Sequence, residues 1–324
     1  MSCSISIKIF FLTASLSYSA TGALGKCTEQ GQLGLNKIKT ELTKRSIPNW
    51  QTWESITKTK TFEHIKGLIS AEGPGQIPYD LYLNTKNQGQ ESNSKKPLVL
   101  IFPGFQGVSW IDHHIGKYFA KNGMHVLISH YRDIENDRRP EKIYEVTKNN
   151  IQAGMLVIDA LIQLDEIDSE KIGLLGYSFG GIRGSFLALI DERIKAVNFI
   201  VSSGNFSKTI LDSSLAAIDE LRKEHMLALG SPTIEEYEKF LEHSLPFEPY
   251  QAICEQDYSH FFLVNSKTDT IVPSVLQDSF ARQLTGAKTL TYRLGHIPSV
   301  LRFALRDLNK SQDFFSSVWG KKII

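Results

Sequence analysis

Residues 171–190 read Lys-Ile-Gly-Leu-Leu-Gly-Tyr-Ser-Phe-Gly-Gly-Ile-Arg-Gly-Ser-Phe-Leu-Ala-Leu-Ile. The apolar run at 172–175 has the continuous hydrophobicity of a strand buried on both faces. From 182 to 190 apolar residues recur at helical spacing. Between the two stands Gly176-Tyr177-Ser178-Phe179-Gly180, a Gly-x-Ser-x-Gly sequence with Gly181 behind it. A strand that turns at once into a helix leaves little room for side chains at positions 176 and 180. It also holds the residue between them in a strained backbone conformation. The hydroxyl of Ser178 is then presented at a helix N-terminus. Three fixed positions recur often by chance; set between a buried strand and a helix, they mark a nucleophilic serine. A serine that merely caps a helix is the plainer alternative.

The same alternation extends in both directions. Residues 97–102 and 124–129 predict buried strands, and 111–122 and 144–164 predict helices. Beyond the serine, 196–202, 260–264 and 289–294 predict three more strands, with a helix over 274–284. Strands alternating with helices imply an α/β fold with a mostly parallel, doubly wound sheet. Upstream, 61–70 and 79–85 alternate apolar and polar residues around Gly73-Pro74-Gly75, the pattern of a β-hairpin. Residues 26–60 are polar, carry Trp50 and Trp53, and read as a helical N-terminal extension. Residues 205–257 break the rhythm and read as helices. They hold eleven Asp and Glu against four Lys and Arg, a net charge of −7. The expected organisation is a signal peptide at 1–25, the extension at 26–60, a core at 61–204 and 258–324, and a helical cap or lid insert at 205–257.

The 324 residues carry 36 Lys and Arg against 35 Asp and Glu, and 41% are hydrophobic. Such a composition excludes an extended disordered chain. Its near-neutral balance gives no support to a nucleic-acid partner, which needs a basic face. At the N-terminus Ile5, Ile7, Ile9, Phe10, Phe11 and Leu12 form an apolar core, followed by small residues up to Gly25. This is the pattern of a signal peptide, and it predicts a secreted or periplasmic protein. The run is too short and too rich in Ser and Thr for a stable transmembrane anchor. Of the three cysteines, export and cleavage would leave Cys27 and Cys254, either as a disulfide or as two free thiols.

A serine hydroxyl needs a base to take its proton. Leu294-Gly295-His296 lies just past the last predicted strand, where such a base belongs. Four other histidines precede the serine, His64 lies in the hairpin, and His225 and His243 lie in the insert; His260 is the reserve candidate. The imidazole needs a carboxylate to orient it. Asp269 follows the strand at 260–264 and so sits at the sheet edge where Ser178 opens. Asp257 precedes that strand and would face the opposite edge.

In this order, Gly176–Gly180, Asp269-x-x-Val-Pro and Gly295-His296 resemble the α/β-hydrolase superfamily, over roughly residues 60–318. The resemblance implies a serine hydrolase with a triad of Ser178, Asp269 and His296 that cleaves a carboxylic ester through an acyl-enzyme. Thioester hydrolysis, peptide cleavage and acyl transfer use the same triad, and a non-catalytic binding module on the same scaffold is the alternative from another class. The oxyanion of the intermediate needs backbone N–H donors. One is expected from Phe179. The other is expected from Phe105, in a Pro103-Gly104-Phe105-Gln106-Gly107 loop that resembles the family's His-Gly-x-x-Gly loop. The partner is a small-molecule or lipid ester, with no cofactor. Asp112-His113-His114 would point in different directions on a helix, so no metal site is expected there.

Overall fold

The computed structural model describes residues 27–43, 49–85, 95–130 and 138–320. The expected signal segment at 1–25 lies outside the described residues. Nine strands form one sheet: β1 (Asn49–Lys58), β2 (Phe62–Ala71), β3 (Gly75–Asn84), β4 (Lys96–Phe102), β5 (His125–Ser129), β6 (Ile167–Tyr177), β7 (Ile194–Ile200), β8 (Phe261–Ser266) and β9 (Lys288–Tyr292). Their spatial order is β1-β2-β3-β5-β4-β6-β7-β8-β9. From β5 to β9 every pairing is parallel, while β1, β2 and β3 pair antiparallel and β3 joins β5 antiparallel. The hairpin forms in the expected place, with Ser70 opposite Gln76. The N-terminal extension differs from its helical reading. Its first half is helix α1 (Glu29–Thr43), but the half carrying Trp50 and Trp53 is strand β1. A ten-residue partner in β2 draws this polar segment into the ladder, where the backbone pairing outweighs its weak strand pattern.

Helices cover both faces. They are α2 (Trp110–Lys121), α3 (Ile143–Leu161), α4 (Phe179–Ile190), α9 (Ser274–Gln283), α10 (His296–Arg302) and α11 (Leu308–Gly320). Among the described residues none is long and apolar enough to cross a membrane. Strand β4 shows why its sequence is apolar throughout. Leu98, Leu100 and Phe102 join one hydrophobic cluster, with residues of α1, α3 and α4. Val99 and Ile101 join the other, with residues of α2 and α11. Each face removes apolar area from water at about 25 cal/mol per Å². The hairpin is less simple than its alternation: Ile77, Tyr79 and Leu81 of β3 are buried on one side, and so are Asp80, Tyr82 and Asn84 on the other.

Between β7 and β8 the chain makes α5 (Phe206–Asp212), α6 (Ala216–Ala228), α7 (Ile234–His243) and α8 (Pro249–Ala252). Leu221 is fully buried, and Leu211, Leu215, Met226 and Leu229 are partly buried against the same cluster. The excursion closes on itself. The Tyr250 N–H donates to the Gly204 carbonyl at 2.9 Å. Glu248 receives the Phe206 N–H at 2.9 Å and the Ser207 N–H at 2.8 Å. Just beyond α8, Cys254 is joined by a disulfide to Cys27, before α1. The bond settles the question the sequence left open, and it closes a loop whose constraint is worth on the order of 2–4 kcal/mol.

Glu248 gives the fold a pH dependence. Its carboxyl is buried, and burial pushes it up to about 7 even though two backbone N–H groups favour the charged form; the nearby Glu242 adds to the rise. The folded protein therefore holds a proton that the unfolded chain releases near the ordinary value of 4.5. Stability from this group is complete below that value and is lost as pH rises through about 7. We expect urea midpoints to fall with rising pH across this window, and Glu248→Gln to remove that part of the slope. An identical slope in the variant would refute the assignment.

Candidate active site

Strand β6 ends at Tyr177 and α4 begins at Phe179, so Ser178 is the whole of the turn. Its backbone lies at φ 54° and ψ −133°, a region that side-chain-bearing residues rarely occupy. The strain is held in place by close approach. A Cβ at Gly176 would stand 2.7 Å from the Gly180 oxygen, and one at Gly180 would stand 2.0 Å from the Phe102 oxygen. The Ser178 N–H donates to the Ile200 carbonyl at 2.9 Å, which fixes the turn to β7. Val201, next along that strand, also has a positive φ of 45°. Two strained residues thus lie side by side at the C-terminal edge of the parallel sheet.

The structure brings the three sequence-predicted side chains together. His296 Nε2 lies 2.8 Å from Ser178 Oγ, and His296 Nδ1 lies 2.6 Å from Asp269 Oδ2. Ser178 is 7% exposed, His296 6% and Asp269 3%, so the array is dry but reachable. Asp269 Oδ1 accepts the N–H groups of Ile271 at 2.9 Å and Val272 at 3.1 Å. These bonds turn the other oxygen toward the imidazole. His296 is the first residue of α10, directly after Gly295. His260 and Asp257, the alternatives, lie at the start of β8, whereas Asp269 follows its far end. His260 and Asp257 instead line a groove of about 1020 Å3 beside Cys254.

Sequence reading missed Gln277. This residue of α9 is buried, and its Nε2 donates to Asp269 Oδ2 at 2.8 Å and to the Val272 carbonyl at 2.7 Å. Its Oε1 accepts the Ser266 N–H at 2.9 Å. The Ser266 hydroxyl in turn donates to the Leu294 carbonyl, two residues before His296. One amide thereby ties the aspartate loop to the histidine loop.

The second missed residue is Arg183. The loop after β4 crosses the start of α4, and the rings of Phe105 and Phe179 pack with centroids 5.0 Å apart. Arg183 Nη2 donates to the carbonyls of Pro103 at 2.6 Å and Gly104 at 3.0 Å. The Tyr177 ring packs beside Gly104, and its hydroxyl donates to Asp112 Oδ2 at 2.9 Å. Both peptide groups flanking Gly104 are therefore held. A trans peptide directs its N–H opposite to its C=O, so fixing the Gly104 carbonyl also fixes the direction of the Phe105 N–H. The signal was present in the sequence: Arg183 is the only charged residue of an otherwise apolar α4. Asp112, His113 and His114 do point in different directions: Asp112 to Tyr177, His113 to the Tyr82 hydroxyl at 2.9 Å, and His114 toward Trp110.

A family model described as alpha/beta hydrolase fold matches residues 97–223. No curated protein matches the sequence. Among solved structures, acetyl xylan esterase 1 from a Thermoanaerobacterium species is 14% identical with a TM-score of 0.70, over 91% of this chain and 96% of that one. An acetyl xylan esterase from a Paenibacillus species is 13% identical with a TM-score of 0.65, over 87% and 95%. A cold-adapted esterase from an Arctic intertidal metagenomic library is 12% identical with a TM-score of 0.55, over 83% and 99%. These likenesses are of fold.

Gln277 offers a test that needs no substrate. In Gln277→Leu the buried Ser266 N–H and the Val272 carbonyl lose their Gln277 partner, and Asp269 Oδ2 keeps only His296, at a cost of about 1–3 kcal/mol for each group left unpaired. Denaturant titration should show a stability loss of that order. Wild-type stability would mean that the three bonds do not organise these loops.

Proposed function

We propose that this chain, a member of the α/β-hydrolase superfamily, is a serine hydrolase that cleaves carboxylic esters through an acyl-enzyme. The observation that carries the reading is the continuous array Ser178–His296–Asp269, with heavy-atom separations of 2.8 and 2.6 Å at the tip of a strained turn. Ser178 Oγ attacks the ester carbonyl as His296 Nε2 takes its proton. The charge on the imidazole is balanced by Asp269, which also holds the ring's orientation. Negative charge gathers on the carbonyl oxygen, where the N–H groups of Phe105 and Phe179 receive it. Collapse expels the alcohol, protonated by His296. Water then repeats the sequence and releases the acid. The esterases among the structural neighbours support the ester reading.

Two further parts of the reading concern place and access. The Cys27–Cys254 disulfide is chemistry of an oxidising compartment and supports a secreted or periplasmic protein. The helical excursion serves as a cap. The Ser214 N–H donates to the Thr270 carbonyl at 2.9 Å, one residue from Asp269. Arg138, beyond β5, meets Glu224 at 2.7 Å and Glu220 at 3.6 Å. These contacts tether the excursion to loops at the edge where Ser178 opens, where a cap excludes water from the acyl-enzyme.

Treatment with a fluorophosphonate probe should label Ser178, and a p-nitrophenyl ester series should define the acyl length. Ser178→Ala should fold and lose turnover by roughly 10³-fold or more. Near-normal turnover, or labelling of a different serine, would end the proposal.

Arg183 supplies a finer test of the oxyanion loop. Removal of a direct donor costs about 10²–10³ in kcat. Arg183→Met, which only loosens one donor, should lower kcat by roughly 10- to 100-fold with little change in KM. Arg183→Lys should recover part of the loss. An unchanged kcat in the Met variant would separate the loop's anchoring from the chemistry.

A further inference from the structure

A second cluster of functional side chains lies on the antiparallel side of the sheet, under α2. His64 on β2 stands opposite Tyr82 on β3, and their rings stack with centroids 4.3 Å apart. Asp80, two residues before Tyr82, shares that face and is buried. His64 Nε2 is 2.6 Å from Asp80 Oδ1, and His130, just beyond β5, reaches Asp80 Oδ2 at 2.7 Å. From above, α2 lowers His113 toward the same point, its ring centroid 5.7 Å from that of His64. One ligand atom from each of His64, Asp80 and His113 lies within 4.8 Å of the other two.

We propose that His64, Asp80 and His113 bind a divalent transition-metal ion, zinc foremost. Two imidazoles and one carboxylate form a donor set for zinc with one position left open. Around a tetrahedral ion with bonds of about 2.0–2.2 Å, ligand atoms stand roughly 3.4 Å apart. The cluster reaches that spacing by small side-chain shifts: His64 and Asp80 part by about 1 Å, and His113 closes in. The surrounding bonds are those a metal site uses to orient its ligands. His130 holds the distal oxygen of Asp80, and the Tyr82 hydroxyl holds His113 Nδ1 at 2.9 Å.

The open side faces a cleft of about 560 Å3, lined by Trp110, His114, Lys66 and Lys117 among others. It gives an ion a way in. The two lysines oppose cations held by charge alone, and a single carboxylate is far from the oxygen cage that calcium or magnesium requires. The two imidazoles suit instead an ion bound through nitrogen, and the lysine charge suits an anion or water in its open position. Such an ion would clamp α2 to the β2–β3 hairpin, elements otherwise joined by packing, by the hydrogen bond of Tyr82 to His113 and by that of the Asn84 amide to the Ala120 carbonyl.

The test uses the full protein stripped with a chelator and titrated with zinc chloride by calorimetry, with cobalt(II) absorption as the reporter of a tetrahedral nitrogen–oxygen site. We expect one saturable site per chain, a rise in Tm on zinc addition, and no comparable response to magnesium or calcium. His113→Ala should weaken zinc by about 100-fold or more, and His130→Ala by about 10- to 100-fold. His114→Ala, on the rim, should change little. Asp80→Asn serves as a further variant, and half-buried His113 keeps the test open if a buried substitution fails to fold. Absence of saturable zinc binding, or equal binding by wild type and His113→Ala, would overturn the proposal. The array would then be a buried carboxylate paired with imidazoles.

Discussion

The Cα of Gly180 lies against the carbonyls of Phe102 and Pro103, so closely that a methyl group there would fall 2.0 and 2.4 Å from their oxygens. This contact governs the geometry of the site. Because the chain passes from β6 to α4 without lateral bulk, the loop after β4 can lie directly across the start of the helix. Ser178 is then forced into a backbone conformation that lifts its hydroxyl out of the sheet. The same crossing brings Phe105 beside Phe179 and puts the carbonyls of residues 103 and 104 within reach of Arg183, one turn up the helix. A side chain at position 180 would push the two segments apart, and the array around Ser178 would lose its floor.

Much of this was legible in the residues themselves. The parallel strands announce themselves because burial on two faces demands unbroken apolar runs, and the Gly-x-Ser-x-Gly turn stands between one such run and a helical pattern. Asp269 and His296 follow from chain order and from which end of a strand each loop occupies. Gln277 does not follow. Nothing in its local sequence distinguishes it from a surface glutamine of α9, and its importance comes from the end of β8 and the aspartate loop meeting at one amide. Arg183 was visible as an isolated charge in an apolar helix, but its target lies 79 and 80 residues away in the chain.

The antiparallel strands were read less completely, for a related reason. Alternation in a strand normally goes with one buried and one wet face. In fact α2 covers the polar face, so Asp80, Tyr82 and Asn84 are buried with their hydrogen-bonding needs met internally. Periodicity records which residues are apolar; it carries no information on whether a later helix will roof over the polar ones. Strand β1 is not legible in its own composition, because its ladder with β2 makes it a strand.

The Cys27–Cys254 bond has a consequence in the order of events during synthesis. Its two cysteines are separated by 227 positions, so the first leaves the ribosome long before the second exists. By the time Cys254 emerges, β1 to β7 and the nucleophile turn are already available to pair. Closing the link brings α1 back across the molecule to meet the segment after α8. Its loss would leave α1 held by the packing of Leu35, Ile38 and Leu42 and by hydrogen bonds such as that of Gln32 to the Ala252 carbonyl, a tie that can open locally where the covalent one cannot.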